Sequence, residues 1–367
     1  MKQLGWLVLL LPGIARADVP ADVAVLRKPS ENPVENRAAW DRLVAAGPDA
    51  LMPILQAWPE NDPVAANWLR TAFDRIVQQN PGKLPIAALT TFVGKVDAPG
   101  KARRMVLQTL ERIQPGTMAE RMPGWLNDPE FGPDSVEFQL ERAAKLGDAK
   151  ERLALLESTF AATRELEQAW TVSKALTQAG GQPNLLRHLG IVADWQVIGP
   201  FPVTLEEGLE QSFPPEKGYD PTATFPGKAG NLQWKAAQAD AEGRMDLVKS
   251  GINPEQGAVA YARATVKVPT ATQAELLVSA VDNLTVWVNG KSAIERASSY
   301  RSMFRPDRYR ATVNLPAGES VILIKLTKTP AEAGRGRPGA PAKWDFLARL
   351  VGADGRGLVR QTGEGTR

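Results

Sequence analysis

Between residues 49 and 178 one pattern recurs four times: a short apolar helix signal, a turn, and a longer amphipathic helix signal. The first helices begin near Asp49, Leu84, Thr117 and Ala149, at intervals of 32 to 35 residues. The second helices read "DPVAANWLRTAFDRIVQ", "APGKARRMVLQTLERI", "PDSVEFQLERAAKL" and "ELEQAWTVSKALTQ". Their apolar residues fall at i, i+3 and i+4, as in Trp68, Leu69, Ala72, Phe73 and Ile76, or Met105, Val106, Leu110 and Ile113. The turns carry Asp62-Pro63, Asp97-Ala98-Pro99 and Asp128-Pro129. Asp caps a helix N-terminus and Pro fits the first helical turn. The fourth unit lacks that turn, as a terminal unit would. A pair this short cannot bury its own apolar face, so pairs at a fixed interval are expected to stack. The pattern predicts a helical domain over residues 34–189, after an N-terminal extension (18–33). A non-repeating helical bundle satisfies the same spacing.

The grammar changes at "ADWQVIGPFP", residues 193–202. "VAYARATVKVP" (259–269) sets Val259, Tyr261, Arg263, Thr265 and Lys267 against five alternating small or apolar residues. "AELLVSAV" (274–281) is a short apolar run, and "WDFLARLVGADGRG" (344–357) ends in a turn. "RATVNLPAGESVILIKLTKT" (310–329) reads as a hairpin turning at Pro316-Ala317-Gly318. Several short strands at such spacing predict an all-β sandwich over residues 190–358, followed by a disordered tail (359–367). The expected fold class is therefore α+β multidomain, an N-terminal α-solenoid followed by a jelly-roll sandwich.

Two resemblances bear on this. The helix pairs are similar to HEAT or armadillo repeats, with units on the short side. In the second half, "DWQVIGPFP", Phe213-Pro214-Pro215-Glu216, Trp234, "VAYARATVKV", "DNLTVWVNGK", "LPAGESVILIKL" and "WDFLARL" occur in that order. This resembles the galactose-binding-like jelly-roll module of secreted bacterial proteins, akin to PA14-like modules, over about residues 190–358. The resemblance implies glycan or surface binding with no catalysis inside the module. The chain departs from it at Val281-Asp282, where relatives often carry an acidic pair.

Composition narrows the chemistry. The 367 residues include no cysteine and one histidine, His188. Disulfides, zinc–thiolate sites and thiol nucleophiles are excluded, and any histidine-based triad would have to use His188. Alone at the helix-to-strand junction, His188 reads as a packing or capping residue, because acid–base work needs positioned partners. No P-loop or dinucleotide glycine pattern occurs. No cofactor and no metal are expected. At the N-terminus, Lys2, the apolar run Leu4–Ile14 and Ala15-Arg16-Ala17 form the three parts of a secretory signal peptide over residues 1–17. Export to a periplasmic or extracellular location is expected, with no membrane span.

Two places attract attention as binding sites. "DNLTVWVNGKSAIE" (282–295) puts Asp282, Asn283 and Trp287 beside an Asn289-Gly290 turn. Both turn positions of that type need positive φ, so Asn289 has a backbone explanation. The expected pairs are Val288 with Lys291, Trp287 with Ser292 and Val286 with Ala293. Leu284, Val286 and Val288 should share one face, Thr285 and Trp287 the other. Trp287 reads as a core aromatic before a stacking platform. Residues 296–360 carry 13 Lys or Arg against 5 Asp or Glu. Within them Arg296, Arg301, Arg305, Arg308 and Arg310 alternate with Tyr300, Phe304 and Tyr309. Guanidinium groups suit carboxylates or sulfates and tyrosines suit a sugar face, so an acidic polysaccharide fits. A solvated loop with Arg308 paired to Asp307 or Glu295 explains the same residues. No nucleic-acid motif accompanies the charge.

The loop "AGRGRPGAPAK" (333–343) reads as an unconstrained tip. Glu206, Glu207, Glu210 and Glu216 read as a solvated acidic loop, lacking a frame that would fix two acids at a set separation. The candidate ligand contacts are thus Arg296, Tyr300, Arg301, Arg305, Arg308, Tyr309, Asp282 and Asn283. The expected protein is a non-catalytic glycan binder whose helical repeats meet a protein partner. An envelope scaffold making only protein contacts is the alternative, and a glycoside hydrolase the third reading.

Overall fold

A computed structural model describes residues 18–202, 210–227, 230–253, 258–280, 283–296, 304–328 and 343–358. The expected signal peptide (1–17), the expected tail (359–367) and all but the last residue of the 333–343 loop lie outside the described residues. The chain divides into two compact units, residues 1–138 and 139–367. The sequence grammar changes at 190, but the packing divides earlier, inside a helix.

The first unit holds α1 (Val19–Arg27), α2 (Pro33–Ala46), α3 (Leu51–Gln56), α4 (Pro63–Gln79), α5 (Ile86–Val93), α6 (Gly100–Ile113), α7 (Thr117–Arg121) and the start of α8 (Gly132–Lys145). Each expected helix pair is present as two helices. Leu43, Leu51, Ile54, Leu69, Phe73, Ile76, Leu89, Val106 and Leu110 supply a fully buried core. Leu26 of α1 is part of it, and Asp22 pairs with Arg42 at 2.6 Å, so residues 18–33 are packed structure and not an appendage. Asp62 caps α4 as expected, accepting from the Val64 and Ala65 amides at 3.0 Å. Asp128 does more. It accepts from the Glu130 and Phe131 amides and takes a two-pronged bond from Arg103 of α6 at 3.1 and 2.5 Å. Both charged side chains are buried. Burial pushes the Asp128 carboxyl up, but the Arg103 bond and the two amides outweigh it and hold it below its ordinary value.

The second unit contains the rest of α8, then α9 (Ala149–Ala162), α10 (Leu166–Gln178), α11 (Leu185–Leu189) and, among the described residues, twelve strands. These are β1 (Asp194–Phe201), β2 (Phe225–Gly227), β3 (Gly230–Leu232), β4 (Lys235–Gln238), β5 (Met245–Asp246), β6 (Ala258–Val268), β7 (Thr272–Ala280), β8 (Asn283–Val288), β9 (Lys291–Arg296), β10 (Tyr309–Leu315), β11 (Gly318–Lys328) and β12 (Asp345–Val351). They form an antiparallel sandwich. One sheet runs β4-β1-β6-β11-β8-β9, the other β10-β7-β12-β5, and β2 pairs with β3 apart from both. Ala258, Ala260, Ala262 and Ala264 of β6 face inward with Ile322, Ile324 and Leu326 of β11. Leu276 and Val278 of β7, Phe346 of β12 and the fully buried Trp344 meet them from the other side. Period-two alternation therefore points each strand's apolar half into one core.

The stretch 310–329 is not a hairpin. β10 pairs with β7 and β11 with β6 and β8, so the turn at 316–318 carries the chain from one sheet to the other. Two strands separated by Pro-Ala-Gly look like a hairpin in sequence. Here each has its own apolar face to bury, and Tyr309, Val313 and Leu315 meet the core from the sheet opposite to β11. The β8–β9 hairpin is real, with Asn289 and Gly290 at φ 50° and 75°. Its register slips by one residue, so Val286 pairs with Ile294 and Ala293 is the extra residue of a bulge.

The helices of this unit are fastened to the sandwich by specific bonds. Trp170 of α10 donates to the Glu242 carbonyl at 2.8 Å. Arg244 lies against the rings of both Trp170 and Phe304, 5.1 and 4.0 Å from their centroids. His188 donates from Nε2 to the Thr163 carbonyl at 2.9 Å and stacks near Phe160, which fits the packing role expected of it.

Candidate functional site

The outer face of the six-stranded sheet is where chemistry collects. Register places Gln196, Arg263, Leu323, Trp287 and Ser292 in one row across β1, β6, β11, β8 and β9. The neighbouring row is Ile198, Tyr261, Lys325, Thr285 and Glu295. The segment from Phe213 to Trp234 folds back over part of this face. Phe213 and Trp234, with Phe225 and Leu232 beside them, cover Ile198, Phe201, Val259 and Tyr261 in a second hydrophobic cluster. Phe201 stacks on Phe213 at 4.8 Å and meets Tyr261 edge-on at 5.9 Å. Fully burying a large apolar side chain is worth about 2 kcal/mol, so these rings are what hold the segment down.

A buried ion pair fastens it further. Glu216, on a 3₁₀ turn (Pro214–Glu216), accepts from the Tyr261 hydroxyl, from Lys325 Nζ at 3.0 Å and from Ser212 at 3.0 Å. Burial pushes the Glu216 carboxyl up; the Tyr261 and Lys325 bonds and the Lys325 charge outweigh it and hold it low. Burial and the bond to Glu216 push the Tyr261 hydroxyl well above its ordinary value. Glu216 was expected in a solvated loop. It is instead the anchor of the covering segment, because Pro215 is buried beside it and draws the carboxylate down to the sheet.

Where the covering segment stops, a cleft of about 350 Å³ opens between it and the sheet. Its walls are Tyr219 and Trp234 on the segment and Arg263, Leu323 and Trp287 on the sheet. Tyr219 meets Trp234 edge-on at 5.2 Å and lies under the Arg263 guanidinium, 4.0 Å from its centroid. Trp234 is 8% exposed, and its buried indole N–H has no hydrogen-bond partner among the described residues. Such a donor is costly to bury unless something completes it. Trp287 is half-buried, not part of the core: Leu284, Val286 and Val288 take the inward positions of β8, and the odd phase sends Trp287 outward into the cleft. Among the described residues of the cleft, Glu216 is the one carboxylate, and Tyr261, Lys325 and Ser212 already occupy it. The described residues contain no group of three acids or histidines able to hold a metal ion.

Of the residues expected from sequence, those described do not line this cleft. Asn283 is buried on β8, its amide donating to the Thr327 carbonyl at 3.3 Å, which makes it part of the sheet. Tyr309 is 7% exposed in the sandwich core on the opposite sheet. Its ring is therefore not presented to a ligand. Arg308 lies over the Tyr309 ring at 5.1 Å, while Asp307 pairs with Arg349 at 2.9 and 2.5 Å and not with Arg308. Arg305 is exposed, and Arg296 ends β9. Asp282, Tyr300 and Arg301 lie outside the described residues. Asn289 has more than its backbone role: it accepts from the Val321 amide at 2.8 Å and donates to Ser320 at 3.1 Å, tying the hairpin tip to β11.

Sequence reasoning missed Tyr219, Trp234 and Arg263 as site residues. The outward phase of β6 and β8 already marked Arg263 and Trp287. The fold-back that adds Tyr219 and Trp234 left no periodic signal.

No family model and no curated protein matches the chain. Solved structures show slight likenesses. One is a β-glucosidase from Kluyveromyces marxianus: 9% identity, 44% of this chain, 16% of that one, TM-score 0.26. Another is the PA14 domain of the MpAFP antifreeze protein: 12% identity, 30% and 46%, TM-score 0.18. A third is a family 35 carbohydrate-binding module from Clostridium thermocellum: 15% identity, 28% and 76%, TM-score 0.17. At these scores the likenesses assign neither fold nor function.

Proposed function

We propose that this chain is an exported, non-catalytic glycan-binding protein. In this reading a jelly-roll module holds the ligand in the cleft between Tyr219, Trp234 and Trp287, and HEAT-like helix pairs meet a protein partner. One observation carries the binding reading: two tryptophans and a tyrosine wall a single cleft. A pyranose offers an apolar C–H face to such rings and hydroxyls to their polar edges. The cleft also has the volume of a small-ligand site.

Charge favours an acidic glycan. Among the described residues, Arg263 and Lys217 at the cleft have no acidic partner. The Arg263 guanidinium lies over the Tyr219 ring, 4.0 Å from its centroid, and its planar fork suits a carboxylate. The non-catalytic reading rests on the acids. Glycoside hydrolysis ordinarily takes two carboxylates at a set separation, and Glu216 is committed to Lys325.

A protein-partner role for the helical unit is supported by a groove of about 690 Å³ along α4 and α6, which includes Trp40, Arg70, Asp74, Met105 and Met118. Its mix of apolar and charged side chains is that of an interface rim. If only this surface is used, the protein is an envelope scaffold.

A glycan array on the purified protein tests the reading. Acidic polymers should bind, and Trp287→Ala should remove the signal. A blank array overturns glycan binding, and turnover of any bound glycan overturns the non-catalytic part.

A further inference from the structure

The geometry points to a second sugar subsite beside the aromatic cleft, so that the ligand is a chain of at least two sugars. This rests on the glycan-binding reading and extends it. Tyr219 and Arg263 wall two depressions at once. On the Trp287 side is the cleft already described. On the other side a depression of about 430 Å³ runs over β1 towards β4, with Asp194, Gln196, Gln238 and Thr265 on its walls. The stacked pair forms the ridge between them.

The two sides differ in chemistry in the way neighbouring sugars would use. The cleft offers aromatic rings beside the Arg263 guanidinium. The second depression offers a carboxylate, two amides and a hydroxyl, which suit a sugar's hydroxyl groups. Asp194 and Gln238 are held in place there by their own 3.1 Å hydrogen bond. Arg263 reaches both sides, so a carboxylate on either sugar could meet it.

The direction fits a chain. Gln196, Arg263, Leu323 and Trp287 occupy one row on four adjacent strands. Three interstrand steps span about 14 Å, longer than one pyranose ring. The row ends at Ala236 on the edge strand β4, a small side chain that leaves the end open. A polymer can therefore continue past the sheet edge.

The test is a titration of the full-length protein with oligogalacturonates and, in parallel, cello-oligosaccharides of one to four sugars. In the series that binds, affinity should rise by about tenfold or more from one sugar to three, as a second contact within one ligand requires. The double variant Asp194→Ala, Gln238→Ala should abolish that rise and leave single-sugar affinity within about twofold, since both side chains are exposed. Trp287→Ala should weaken every length. Equal affinity at all lengths, with Trp287→Ala still effective, overturns the second subsite and leaves glycan binding standing. A rise with length that survives the double variant also overturns the subsite. If neither series binds, or Trp287→Ala changes nothing, both readings fall.

Discussion

The Glu216 carboxylate lies 3.0 Å from the Lys325 ammonium, the first on the segment that walls the cleft, the second on the strand that floors it. Lys325 is 2% exposed. Lys325→Met leaves the half-buried Glu216 carboxylate without its counter-charge, though still bonded by Tyr261 and Ser212. The loss should be about 2 kcal/mol, read as a shift of the urea midpoint. Adding Glu216→Gln should restore part of that loss. A single variant as stable as the parent would mean the pair does not fasten the segment.

Arg263 lies over the Tyr219 ring and has no acidic partner among the described residues. Arg263→Lys keeps the charge but loses the planar fork. Affinity for an acidic glycan should fall by about tenfold, while binding of a neutral one should change little. Raising salt from about 0.05 to 0.5 M should weaken the acidic ligand in the parent and much less in Arg263→Gln. Equal salt dependence in parent and variant would remove Arg263 from recognition.

Tyr309 presents the opposite case. Its hydroxyl is buried in the sandwich core with no hydrogen-bond partner among the described residues. Tyr309→Phe deletes an unsatisfied group without making a cavity, so stability should rise by about 1 kcal/mol and glycan binding should not change. Loss of binding would return Tyr309 to the ligand site.

His188 gives a pH signature. Burial lowers its pKa first, the bond to Thr163 works against this, and Arg164, Arg356 and Arg349 lower it further. The folded chain therefore binds this proton less readily than the unfolded chain, whose histidine titrates near 6.5. Stability rises with pH where the unfolded state holds more protons, so the His188 contribution is present above about 6.5 and is lost as pH falls below it. Melting temperature should drop between about pH 7 and 5, and His188→Gln should flatten that part of the profile. A profile unchanged by the substitution would refute the assignment.

Local pattern carried much of this fold. Helices α4 and α6 were legible because their apolar residues recur on one face, and the inward and outward phases of β6 and β8 because alternation fixes them. The hairpin at 289–290 was legible because that turn has a backbone requirement. What failed was long-range. Which sheet β10 joins depends on a partner about 35 residues earlier in the chain, and no local pattern encodes that choice. The bulge at Ala293 left no trace because alanine suits either phase. Charge density drew attention to residues 296–310, yet Asp307 there is bound to Arg349 and Tyr309 fills the core. Tyr219 and Trp234 entered the site through tertiary packing alone.

Two of the places where the chain passes between the sheets lie side by side. It crosses at 268–272 and at 315–318, and these crossings are neighbours: Val268 pairs with Gly318, and Thr272 with Leu315. Once β6 and β11 are zipped together, the starting ends of both crossings are already close. The loop-closure entropy that normally opposes joining two sheets is then largely spent in forming one of them. The sandwich should therefore assemble as one cooperative unit, with no stage at which one sheet stands alone and complete.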